Sequence, residues 1–146
     1  MPGTLRLKSL SFDTRLIRNK ADRATVRGLF QQSGYILKIA RNSMKRVSDP
    51  KRYAPAGTPP YAHKGQIRNL MAFAVNPWSK SSVIGPQKFG GNRAPNVSEF
   101  SGVVHRRRKG QTGRVPCHYR PRPFMRPALD ASLPKFAGRW ASSIHS

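Results

Sequence analysis

The ten residues Arg120-Pro121-Arg122-Pro123-Phe124-Met125-Arg126-Pro127-Ala128-Leu129 constrain the fold more than any other stretch of this chain. Each proline fixes its own φ and biases the residue before it away from the α region. The run is therefore a stiff, extended approach to a helix. Pro127 suits the first turn of that helix, where a missing N–H costs nothing. Phe124 and Met125 are left as large apolar groups at a rigid corner. Fixing one entry angle so firmly is what a docking element needs.

The next constraint is charge. The chain has 146 residues with 28 Lys+Arg against 5 Asp+Glu, a formal net charge of +23. A chain so charged repels itself unless a partner meets the charge. The usual partners are nucleic acid, an anionic membrane or an acidic protein surface. Length favours one domain over 1–146, with enough residues for a core. Residues 1–52 hold 13 basic and 3 acidic residues, residues 101–146 hold 10 and 1, and the middle holds 5 and 1. One cysteine, Cys117, excludes an internal disulfide and suits a reducing compartment. No run of about 18 apolar residues or signal-type segment is present, so the expectation is a soluble chain made in the cytoplasm.

Residues 1–12, with alternating Leu5 and Leu7, are expected to form a strand or an N-terminal arm. From Asp13 to Ser48 the apolar residues recur every three or four positions, as in a long helix, with Asp22 as N-cap or first-turn acid of its strongest part and Pro50 as its stop. Gly28 and Gly34 weaken that helix by up to ~1 kcal/mol each unless close packing uses them. Pro55 to Gly65 is a turn-rich loop. Met71, Phe73 and Val75 alternate as a half-buried strand, Asn76 to Lys80 reads as a turn, and Ser82 to Gly85 as the returning strand, giving a hairpin over 68–86. A loop containing Gly90, Gly91, Asn92 and Pro95 leads to a helical turn at Val97–Phe100. A second hairpin flanks Gly110-Gln111-Thr112-Gly113, making 101–122 a basic hairpin arm. Met125 to Ile144 reads as a C-terminal helix kinked at Pro134 and Gly138. The fold class is α+β: a long N-terminal helix and a C-terminal helix packed on one small antiparallel β-sheet with extended loops. Trp78, Leu133, Phe136 and Trp140 are assigned to the core or a subunit interface.

Three ordered segments resemble the tail-completion (neck, head–tail joining) family of tailed bacteriophages. They are Pro55-Ala56-Gly57-Thr58-Pro59-Pro60-Tyr61-Ala62-His63-Lys64-Gly65 with Ile67 and Leu70; Val83-Ile84-Gly85-Pro86 with Ser98-Glu99-Phe100-Ser101-Gly102; and Pro121 to Leu129. The resemblance spans residues 14–144. Lys64 stands where the family usually has Thr or Ser, and Ser101 stands where the first Gly of a pair is expected. The resemblance implies a structural virion protein, assembled in the host cytoplasm and located in the neck. It implies no catalysis and no cofactor, and copies in a ring, commonly a hexamer, between the head connector and tail-tube or terminator proteins. The implied inter-subunit residues are Pro59, Pro60, Tyr61, His63, Arg122, Phe124, Met125 and Arg126.

The basic arm carries Arg106, Arg107, Arg108, Lys109, Arg114 and Arg120. Three readings stand: phosphate contact with packaged DNA, docking onto acidic neighbours, or a solvated loop. His105, Cys117 and His118 fall short of the roughly four ligands a zinc site needs. His63 reads as a loop hydrogen-bonding residue. The five acids, Asp13, Asp22, Asp49, Glu99 and Asp130, are well spread, and no phosphate loop or nucleophile motif appears, so no enzyme is expected. Glu99 is expected to pair with a nearby arginine. Rival readings are a ribosomal-type basic nucleic-acid-binding protein and a tail terminator or tail-tube subunit.

Overall fold

A 30-residue helix, α1 (Thr14–Ser43), forms the spine on which everything else is laid. The computed structural model describes residues 13–63, 66–87, 94–107, 110 and 112–145. The expected arm 1–12, Lys64, Gly65, Gly90 to Asn92, Arg108, Lys109 and Gln111 lie outside them. Asp13, not Asp22, caps α1: its carboxylate accepts from the Leu16 N–H at 2.9 Å. The first ten helical residues run past the core and are almost all exposed, so no apolar stripe marks them in the sequence. The helix also stops earlier than expected. Met44 is already extended, and Arg46 bridges Ala62 in parallel, with the Ala62 N–H donating to the Lys45 carbonyl at 2.9 Å. That pairing draws the chain out of the helix before Pro50 is reached.

After a one-turn helix, α2 (Gln66–Asn69), strands β1 (Met71–Asn76) and β2 (Ser81–Pro86) pair antiparallel from Met71↔Pro86 to Asn76↔Ser81. The Asn76 carboxamide oxygen accepts from Trp78 N–H (2.9 Å) and Ser79 N–H (3.3 Å), which builds the turn. The tip is braced to α1 by the Lys80–Asp22 ion pair. Helix α3 (Ala94–Phe100) precedes a second hairpin, β3 (Gly102–Arg107) and β4 (Arg114–Tyr119), which runs in register from Gly102↔Tyr119 to Arg107↔Arg114.

The expected single sheet is in fact two separate two-stranded ribbons. The second ribbon packs chiefly on α3. One of its faces carries Val103, His105, Arg107, Arg114, Pro116 and His118, all exposed, and its other face is only half-buried apart from Arg106. The exposed face is too polar for the core, and the other, with Val104, Val115, Cys117 and Tyr119, is only partly covered.

The C-terminal third is α4 (Met125–Ser132), a 3-10 turn (Leu133–Lys135) and α5 (Phe136–His145). The break at Pro134 is as expected. Gly138 lies inside α5 and kinks nothing. Helix α5 crosses α1 at Gly28, where an added Cβ would lie 3.3 Å from both Ser143 Oγ and Trp140 Cδ1. The glycine is what permits that approach, and Ser143 Oγ donates to the Ala24 carbonyl at 2.8 Å.

The core is small. Ile36, Leu37, Ala40 and Met44 of α1 meet Met71, Phe124 and Ala128, with Ile67, Phe73, Ile84 and Met125 around them. Phe30 and Phe73 stack edge to face at 4.9 Å. Trp78 is not part of the core. It stands 92% exposed at the β1–β2 tip, and Leu133, Phe136 and Trp140 are each more than two-fifths exposed.

Candidate functional site

The two segments read as contacts between subunits meet each other inside one subunit. Gly57 N–H donates to the Pro121 carbonyl (2.9 Å), and Arg122 Nε donates to the Ala54 carbonyl (2.8 Å). Arg122 N–H also donates to Ser98 O at 2.6 Å. The stiff approach of residues 120–124 is thus pinned by the proline-rich loop on one side and α3 on the other. Arg122 and Phe124 are used within the chain, and Phe124 is only 1% exposed. Tyr61 is half-buried beneath Arg52, whose guanidinium carbon lies 5.9 Å from the ring centroid. His63 stacks edge-on to Tyr53 at 6.3 Å instead of serving as a loop hydrogen bonder. Pro59 and Pro60 are half-buried.

Among the described residues Glu99 pairs with no arginine. Its carboxylate caps α4 from a different element: Oε2 accepts from Phe124 N–H (2.9 Å) and Met125 N–H (3.1 Å), and Oε1 from Arg126 N–H (2.9 Å). A helix start leaves four N–H groups without partners. Here Glu99 takes three, and Pro127 removes the fourth. Phe124 is the N-cap residue and has no capping side chain, so the cap is supplied in trans. A carboxylate there also faces the positive end of the helix dipole. Spacing between Glu99 and Phe124 gives no hint of this contact in the sequence.

Beside that cap lies an open groove of about 700 Å³. Its walls are mainly apolar: Leu29 and Ile36 of α1, Ile84 of β2, Phe100, and Met125, Leu129, Leu133 and Phe136 of the C-terminal helices. Phe100 is 77% exposed. The buried Gln32 side chain reaches the floor, its Nε2 donating to Ser132 O at 3.2 Å while its Oε1 has no partner. Met125 and Arg126, two of the sequence-assigned contact residues, lie on its rim, and Arg126 pairs with Asp130 at 3.3 Å. Leu29 and Ile36 of this wall fall on the helical-period stripe of α1, Leu133 and Phe136 were assigned to the core or a subunit interface, and Phe100 lay in one of the resemblance segments; Gln32 carried no signal.

The basic arm places Arg107 directly opposite Arg114. Like charges facing across a ladder are destabilising. Arg106 lies 5.3 Å from the Tyr119 ring, and Arg120 is exposed. Arg108 and Lys109 lie outside the described residues. His105 and His118 lie on the exposed face and Cys117 on the other, so the three do not converge. Among the described residues there is no group of three or more His, Cys, Asp or Glu able to hold a metal. No helix among them is long and apolar enough to cross a membrane.

All five carboxylates are engaged within the chain. Asp13 and Glu99 cap helices, Asp49 accepts from Lys51 N–H at 2.9 Å, and Asp22 and Asp130 are ion-paired. Nearly all the positive charge is left to be met from outside. No family model, curated protein or solved structure matches the chain.

Proposed function

We propose that this protein is a ring-forming neck or tail-completion subunit of a tailed phage, a virion component that joins the head connector to the tail and performs no catalysis. The observation that carries the assembly reading is the pairing of an open apolar groove with an exposed tryptophan elsewhere on the same subunit. Copies carrying +23 each can associate only where their surfaces are poor in cations. The groove is such a place, and so is the β1–β2 tip, where Lys80 is neutralised by Asp22. A hairpin tip of one copy seated in the groove of the next is a heterologous contact, which closes into a ring when the rotation allows. The phage assignment rests on the ordered motifs, and the pinning of residues 120–124 by the 55–63 loop gives those motifs a shared purpose in the fold.

The test is the mass of the nuclease-treated protein in solution at low salt and at ~0.5 M salt, where screening removes electrostatic association with residual nucleic acid. A discrete ring-sized species at both salts is the expected result. Trp78→Ala should leave a folded chain that no longer forms it. A parent chain that stays monomeric at both salts would overturn the intrinsic ring. The ribosomal-type reading draws on the +23 charge, carried mainly by the two terminal thirds. It requires a monomer that associates only when nucleic acid is added.

A further inference from the structure

A second feature of the surface is separate from the groove. On α1, Lys20, Arg23, Arg27, Gln31, Tyr35 and Lys38 follow one another at spacings of three or four, so they lie along one strip of the helix. At 1.5 Å per residue the strip is about 27 Å long. Lys20, Arg23, Gln31 and Lys38 are exposed. No acid lies on it: Asp22, the one carboxylate inside α1, is tied to Lys80 at the hairpin tip.

The α1–α5 crossing adds two more cations to its C-terminal end. Arg139 lays its guanidinium 3.5 Å from the centroid of the Tyr35 ring. Lys135 Nζ donates to the Tyr35 hydroxyl at 3.0 Å. That hydrogen bond, helped by the charges of Lys135, Arg139 and Lys38 and opposed by desolvation, holds the Tyr35 phenol below its ordinary value. Tyr35 acts here as a post against which two cations are fixed beside a third.

We infer that this α1–α5 edge binds the phosphate backbone of double-stranded nucleic acid, with Lys20, Arg23, Lys38, Lys135 and Arg139 as its contacts. A second copy of this chain is a poor source of counter-charge, because it carries only 5 acidic residues against 28 basic ones. A straight, acid-free row about 27 Å long matches a rod that carries one negative charge per ~1.7 Å of its axis. Single strands are bound largely by stacking bases on exposed aromatic faces, and the Tyr35 face is occupied by Arg139. Nothing on the strip reads base edges, so binding is independent of sequence. The inference does not depend on the ring, since the strip is present in one subunit.

The test uses the full chain and a fluorescein-labelled 24-base-pair duplex of random sequence, with anisotropy read across a salt series. Each phosphate contact contributes about 0.9 to the slope of log K against log salt. Lys38→Gln/Lys135→Gln, two exposed side chains, should lower the slope magnitude by about 2. Lys51→Gln/Arg52→Gln removes the same charge from the loop beyond the end of α1 and should leave the slope unchanged. Equal losses in the two variants would mean general charge attraction and would overturn the assignment. An unchanged slope in the strip variant would overturn it as well, and would leave an acidic protein as the partner. Lysine acetylation of the unmodified chain gives a readout without mutation: duplex should protect Lys38 and Lys135 but not Lys51, and equal labelling of all three would refute the inference.

Discussion

Replacing Glu99 with alanine removes the cap of α4 and the tie between that helix and α3. The three donors it satisfies differ in what they can do without it. Arg126 is exposed, so its N–H rehydrates. Met125 is half-buried and rehydrates in part. Phe124 is 1% exposed, and its N–H is left without a partner. Loss of a helix cap costs about 1 kcal/mol, and a buried donor left unsatisfied about 1–3 kcal/mol. Together these give about 3 kcal/mol, which for a chain of this size lowers Tm by about 6–12 °C. Glu99→Gln keeps the shape and one acceptor oxygen, loses the charge and turns an amide NH₂ toward one of the donors, so it should fall about halfway. The assay is thermal unfolding followed by circular dichroism for the parent and both variants. If Glu99→Ala melts within ~2 °C of the parent, the carboxylate is not holding the helix start and the account of the 120–129 corner is wrong.

Ser101 adopts φ +69°, in the left-handed region that favours glycine. Ser101→Gly should therefore stabilise the chain by about 0.5–1 kcal/mol, read as a rise in denaturation midpoint without a change in slope. At the α1–α5 crossing the 3.3 Å clearances at Gly28 leave no room for a large side chain; Gly28→Leu should destabilise by roughly 2–4 kcal/mol and expose Trp140 further, seen as a red-shifted emission. In an absorbance titration Tyr35 should ionise below the ordinary value of a tyrosine, because Lys135 donates to its hydroxyl and so favours the phenolate. Lys135→Ala should move that step upward. Because the folded-state value is lowered, the shift adds stability that is complete above the unfolded value, near 10, and is lost as pH falls through the folded one.

Sequence periodicity located the core-facing part of α1 and the first hairpin, turn residues located the second, and the prolines placed the start of α4 at Met125 and the break at Pro134. These features depend on neighbours within a few residues, where φ restriction and side-chain period act directly. The count of five acids against 28 bases likewise determined that most of the positive charge has no acid within the chain to pair with. What the local pattern could not carry were the contacts made over long separations. Glu99 looked like one more residue to pair with an arginine, and only the fold shows it facing three backbone N–H groups from 25 to 27 positions away. Arg122 and Phe124 looked suited to a neighbour, and the fold spends them on Ala54 and the core. Gly28 looked like a weak point in a helix until α5 was laid across it, and of the two places open to Trp78, core or subunit interface, the hairpin removes the core by carrying it into solvent. In each case the residue type fixes which interactions are possible, and the three-dimensional path of the chain decides which partner is within reach.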